Sequence, residues 1–300
     1  MKGIRFVLSE GRTRKAQVIE LDEKESTSLK HAIEVLRRAI KHEELFDQLM
    51  QSYIDVKTTM FEMSIRGLAD SRLDDYVQNH ETRSKLNRLF FNSLNFSKLY
   101  LDKHVFSEEK GSYVKKITRS LELHNRIVEH RKEIQDTSSG YNLGCSLRNY
   151  VQHSALPVTN FVTGVSWRDT PEATFHIPLS KEMLKQGRVS SKDLASYGDS
   201  IDLHSVMDEY IYAISNMHMK SRELTSAHIE EAYKLLEDRR KGVHKEYGKV
   251  EYGINVIDLK SEKPLFSLHL DWFKVHDHLR EKNSAPVNFS RYAYRVHSKP

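Results

Sequence analysis

The chain has 300 residues, enough for one large domain or two of ordinary size, each with a buried core. Its formal net charge of +5 at pH 7 leans toward an anionic partner but falls short of a histone-like or basic-tail composition. The single cysteine, Cys145, excludes an intrachain disulfide and reads as a small buried residue. The N-terminal run Gly3 to Leu8 is too short for a secretory apolar region, and no stretch approaches the roughly 18 apolar residues of a membrane span. A cytoplasmic chain with no membrane partner is expected.

Ile4 to Leu8 and Gln17 to Leu21 are apolar-rich and separated by a polar stretch, which predicts a β-hairpin. Ser26 and Thr27 are N-cap candidates for a helix beginning near Ser28. Leu29, Ile33, Leu36 and Ile40, then Phe46, Leu49, Tyr53, Val56, Met60 and Met63, recur at helical spacing with a phase shift between the sets. This predicts a long amphipathic helix bent near Glu43 and Glu44 and ending at Gly67. A second helical stretch, in one piece or two, runs from about Leu73 to Leu101, with Leu86, Leu89, Phe90, Leu94 and Leu101 available for burial.

Beyond Gly111, the positions Val114, Ile117, Leu121, His124 and Val128 predict one helix to about Ile134, with His124 a satisfied core histidine. The polar Asp136 to Gly140 then leads into a shorter helix carrying Arg148-Asn149-Tyr150-Val151-Gln152-His153. Pro157 disfavours helix at Leu156, so this helix ends by about Ala155.

Phe161 to Trp167 and Ala173 to Ile177 flank a turn-rich Arg168-Asp169-Thr170-Pro171-Glu172 and predict a second hairpin. Two helices follow, Leu203 to Met219 and Thr225 to Lys241. Val250 to Val256 and Phe266 to Leu270 alternate as strands, and a short helix spans Trp272 to Leu279 before a basic, aromatic tail. The predicted fold is mainly α: residues 1–157 form a hairpin and a helical bundle, and residues 158–300 an appended α+β region of unknown role.

Transesterification of RNA needs a base for the 2′-hydroxyl, an acid for the departing 5′-oxygen and positive charge at the phosphoryl oxygens. Histidine changes protonation near neutral pH, and arginine stays charged and forks toward phosphate, so the pair supplies these parts without a metal or other cofactor. Arg148 and His153 have this chemistry, with Asn149 beside them. The same spacing recurs at Arg37/His42, Arg119/His124 and Arg239/His244, but only Arg148 is followed by Asn and lies just before a proline-enforced helix end. On a straight helix, five positions separate Arg148 and His153 by about 140°, whereas Asn149 and His153 are about 40° apart.

Arg, four intervening residues and His, with a polar residue after the Arg, resembles the motif of HEPN-superfamily ribonucleases. The resemblance covers about residues 28–157. It implies a helical bundle and a metal-independent endoribonuclease of a toxin or phage-defence system, acting on RNA, as a homodimer, with an antitoxin or defence partner. Carried onto this chain, it gives phosphate contact to Arg148, proton transfer to His153 and orientation of the site to Asn149. The alternative is a non-catalytic helical module that binds RNA or a protein.

Arg37, Lys116 and Arg126 are candidates for a phosphate-tracking groove. Arg291, Tyr292, Tyr294 and Arg295 have the chemistry to stack on bases but equally suit a strand. His276-Asp277-His278 with Asp271 offers metal-ligand atoms, yet neighbouring helix positions diverge, so no metal is assigned there.

Overall fold

Asp22 accepts a hydrogen bond from the Glu25 amide at 2.6 Å and starts the first long helix. This computed structural model describes residues 1–10, 13–69, 76–104, 111–167, 171–248 and 250–291. In chain order these form β1 (Lys2–Glu10), β2 (Thr13–Leu21), α1 (Glu23–Ala69), α2 (Tyr76–His104), α3 (Tyr113–Thr118), α4 (Leu121–Thr137) and α5 (Ser139–His153). There follow β3 (Val162–Trp167), β4 (Pro171–His176), β5 (Pro178–Ser180), α6 (Lys181–Gln186), β6 (Ser200–Asp202), α7 (Leu203–Tyr247), β7 (Val250–Asp258), β8 (Pro264–Ser267) and α8 (Lys274–Lys282). The fold is mainly helical, with a four-stranded and two two-stranded antiparallel sheets among the described residues.

Several boundaries differ from the sequence reading. Because Asp22 is the cap, α1 begins at Glu23 rather than Ser28; the Thr27 and Ser28 hydroxyls bond back to the Glu23 and Lys24 carbonyls. The helix runs past Gly67 to Ala69. The single helix expected after Gly111 is two, because Arg119 takes a left-handed φ of 57° and the Ser120 hydroxyl caps the next turn at the Leu123 amide, 3.2 Å away. Leu121, counted as a buried position, is exposed. The two helices expected from Leu203 to Lys241 are one. Buried Ser221 and Thr225 fill the turn where the apolar pattern lapses, and Ser221 satisfies its hydroxyl on the Met217 carbonyl at 3.0 Å. Leu73, the turn at 168–170, and Tyr292, Tyr294 and Arg295 lie outside the described residues.

Two compact units divide the chain differently from a cut at residue 157. One comprises Met1–Glu44, Tyr113–Leu123 and Arg222–Ser284. Its sheet has the order β2-β1-β7-β8, so the N-terminal hairpin takes its next strand from the far end of the sequence, with Ile4 opposite Val256. Ile4, Phe6, Ile254 and Val256 are buried along this pair, and buried Glu43 holds Arg222, which also donates to the Asn283 carbonyl at 2.6 Å.

The other unit comprises Leu45–Ser112, His124–Ser221 and Ala285–Pro300. Its core runs through Phe46, Leu49 and Tyr53 of α1, Leu86, Phe90 and Leu94 of α2, Tyr141 and Leu147 of α5, and Tyr210 and Ile214 of α7. Ser138 caps α5, its hydroxyl accepting from the Tyr141 amide at 3.1 Å. Gly144 lets α5 approach α7 closely, since a β-carbon there would stand 2.3 Å from the Tyr210 ring. The helix ends at His153, within the limit that Pro157 sets.

Candidate active site

The segment singled out in the sequence occupies the last turn and a half of α5. Tyr150 and Val151 are buried beneath it, whereas Asn149 and His153 are exposed. Asn149 and His153 line one cleft of about 710 Å³ between α5 and the α6 segment, as their shared helical face predicts. Arg148 is not part of that lining. Its Nη1 donates to Asn149 Oδ1 at 3.0 Å, and its Nε is buried without a hydrogen-bond partner among the described residues.

The far wall is built by Met183, Gln186, Gly187, Arg188 and Val189. It is pinned to α5 at two points. Ser146 donates to Asp193 at 2.6 Å, and Ser154 donates to the Gly187 carbonyl at 3.2 Å. Gly187 is required for that approach, because a β-carbon there would lie 2.3 Å from the Tyr150 ring. Burial in turn pushes the Tyr150 phenol upward from its ordinary value.

On another side of α5, Gln152 donates to Asn95 of α2 at 2.8 Å, and Asn87 bonds both the amide and the carbonyl of Val158 at 2.8 Å. These contacts fix the chain leaving the motif against α2. Beside them, His80, Arg83, Arg88, Phe91 and Leu156 line a groove of about 490 Å³.

The rival Arg–His spacings go elsewhere. Arg119 donates to His31 at 2.8 Å, His124 bonds the Ser112 hydroxyl at 2.9 Å, His42 stacks on Tyr113, and Arg239 pairs with Glu25. His124 is thus a satisfied, partly buried histidine. Arg37 and Lys116 are exposed in one compact unit, and Arg126 is exposed in the other, with the motif. Cys145 is half-buried, and its thiol is pushed up by burial. His276 is buried, stacks on Phe273 and bonds Asp277 at 3.0 Å, while Asp271 pairs with Lys274 at 2.8 Å.

A second polar cluster was not anticipated. Lys57 reaches both oxygens of Asp208, at 2.9 and 3.0 Å, and contacts His204, while the Tyr53 hydroxyl donates to Asp208. Burial lowers the Lys57 ammonium pKa against the pull of Asp208; burial and then Lys57 lower that of His204. The signal available in the sequence was two polar pairs at helical spacing within apolar faces, Tyr53 with Lys57 and His204 with Asp208. Their convergence is a tertiary fact. A buried ion pair joining α1 to α7 accounts for it without a reaction.

Comparison with models of protein families, with curated proteins and with solved structures returns no match to this chain. No helix among the described residues is long and apolar enough to cross a membrane.

Proposed function

We propose that the protein is a HEPN-type endoribonuclease that cleaves RNA through His153, Asn149 and Arg148, leaving 2′,3′-cyclic phosphate and 5′-hydroxyl ends. The observation that carries this reading is the placement of Asn149 and His153 on the same open cleft at the end of α5, with Arg148 bonded to Asn149. In the reaction His153 takes the 2′-hydroxyl proton, the freed oxygen attacks the adjacent phosphorus, and the bond to the 5′-oxygen breaks. Arginine charge stabilises the phosphoryl oxygens, so the chemistry calls for no metal. The departing oxygen needs a proton from an acid, and a second copy of the chain would bring a second His153. We therefore read the active form as a homodimer. Light scattering should show a dimer in the active concentration range; a monomer throughout, with RNA present, removes this part of the reading.

The α2 groove with Arg83, Arg88 and Phe91 offers the flanking strand cations and a stacking face. On the resemblance, the biological setting is a toxin or phage-defence system in a cytoplasm, with an antitoxin or defence partner restraining the enzyme. The competing reading, a non-catalytic RNA-binding or protein-interaction module, draws on Arg148 being committed to Asn149 rather than lining the cleft. Incubating purified wild-type and His153→Ala protein with mixed cellular RNA separates the two: cleavage by the wild type alone supports the enzyme, and no cleavage by either supports the module.

A further inference from the structure

The cleft beside His153 contains an arginine that belongs to no motif. Arg188 follows α6, and its exposed side chain makes no ion pair among the described residues. None of the residues lining the cleft is acidic. An anion entering it therefore meets a guanidinium, an imidazole and the amide of Asn149; the Asp193 carboxylate, bonded to the lining Ser146 hydroxyl at 2.6 Å, is not itself part of the lining.

The backbone at Arg188 has a left-handed φ of 65°. Two hydrogen bonds impose it: Arg188 donates its amide to the Lys185 carbonyl at 3.0 Å, and Val189 donates to the Leu184 carbonyl at 3.0 Å. Together they close α6 as a Schellman motif, completed by the buried side chains of Leu184 and Val189. Arg188 holds the position in that motif where glycine is the least strained residue. The nearby glycine stands one place earlier, at Gly187, where the Tyr150 ring leaves no room for a β-carbon. Packing thus explains Gly187, but nothing in the packing calls for arginine at position 188, where any side chain with a β-carbon strains the turn.

We infer that Arg188 is a phosphate-binding residue of this cleft, gripping a phosphodiester of RNA beside His153, while Arg148 acts through Asn149 as a positioning residue. The inference rests on the ribonuclease reading for its substrate. It adds the group that contacts the phosphoryl oxygens, a role the sequence motif gives to Arg148. Arginine suits the task because its planar fork can give two parallel hydrogen bonds to phosphate and it stays charged at any working pH.

The test compares wild type, Arg188→Gly and Arg188→Lys in two assays. The first measures cleavage of an RNA oligonucleotide. The second measures, by fluorescence anisotropy, binding of a labelled RNA whose every ribose is 2′-O-methylated and cannot be cut. Arg188→Gly should melt no lower than wild type, because it relieves the left-handed backbone, yet lose about 100-fold in cleavage. Its binding should weaken about tenfold or more. Arg188→Lys should recover part of both losses, since it keeps the charge but not the fork. Wild-type cleavage and binding retained in Arg188→Gly overturn the inference and leave the ribonuclease reading standing. If the wild type itself fails to cut, that reading falls, and the binding contrast still decides: weaker binding by Arg188→Gly supports the phosphate site, and equal binding overturns it.

Discussion

Arg148 and Asn149, adjacent in sequence, are hydrogen-bonded through their side chains, Nη1 to Oδ1 at 3.0 Å, and only Asn149 lines the cleft. Asn149 therefore links the guanidinium to the face that His153 shares. On the proposed mechanism, replacing Arg148 or Asn149 lowers cleavage by loosening this link, and replacing His153 abolishes most of it by removing the proposed proton-transfer group. We expect Arg148→Ala and His153→Ala each to lose most activity with helical circular dichroism unchanged. Arg119→Ala, whose guanidinium bonds His31, should keep it. Equal activity in all three variants would remove the motif from the mechanism.

Gly144 tests how α5 is held. Its replacement by alanine drives a β-carbon into the Tyr210 ring, which is itself fully buried in the core. A loss of about 1–3 kcal/mol is expected from overpacking of this kind. Chemical denaturation of Gly144→Ala should show a lower midpoint, and an unchanged midpoint would mean that α5 has room to withdraw from α7.

Lys57 and Asp208 form an ion pair with side chains 9% and 2% exposed. Removing Lys57 takes its permanent cation from buried Asp208, whose remaining partners are the Tyr53 hydroxyl and the His204 imidazole at 3.3 Å, at a cost of about 3 kcal/mol, the low end for breaking a buried pair. Lys57→Met should therefore destabilise strongly. The double variant Lys57→Met/Asp208→Leu should recover much of that loss, since well-packed apolar residues can replace a buried pair. A double variant no more stable than the single one would show that the cluster carries a constraint beyond its charges.

Burial holds the His276 imidazole below its ordinary pKa of 6.5, opposed by its hydrogen bond with Asp277. The unfolded chain then binds more protons than the folded one between the lowered value and 6.5, so stability rises with pH through that window. His31 and His204 are lowered in the same sense, again chiefly by burial. Melting temperature should fall as pH drops below 6.5. The fall should be smaller in His276→Gln, and an identical pH profile in that variant would show that His276 does not contribute.

How much was legible in the sequence depended on whether the signal was local. The N-terminal hairpin, α2 and the end of α5 before Pro157 follow from alternation, helical spacing and one proline, each read within a few residues. The placement of Asn149 and His153 on one face followed from helical geometry alone. By contrast, the break at Arg119 interrupts an apolar spacing that runs on through it, and α7 continues through Ser221 and Thr225, where polar residues are buried. The pairing of β1 with β7 joins segments more than two hundred residues apart in sequence, and no periodicity encodes a partner. The same holds for Arg188, placed in the same cleft as His153 where Gly187 packs on Tyr150, and for Lys57 with Asp208.

Cutting of RNA by its own 2′-oxygen, as proposed, is read from the chemistry of the product ends. Wild-type protein incubated with an RNA oligonucleotide should yield 2′,3′-cyclic phosphate and 5′-hydroxyl termini, identified by selective phosphatase and kinase treatment. A matched oligonucleotide with a single 2′-deoxy residue at the cut site should survive. Products bearing 5′-phosphate, or equal cleavage of the 2′-deoxy substrate, would exclude attack by the 2′-oxygen.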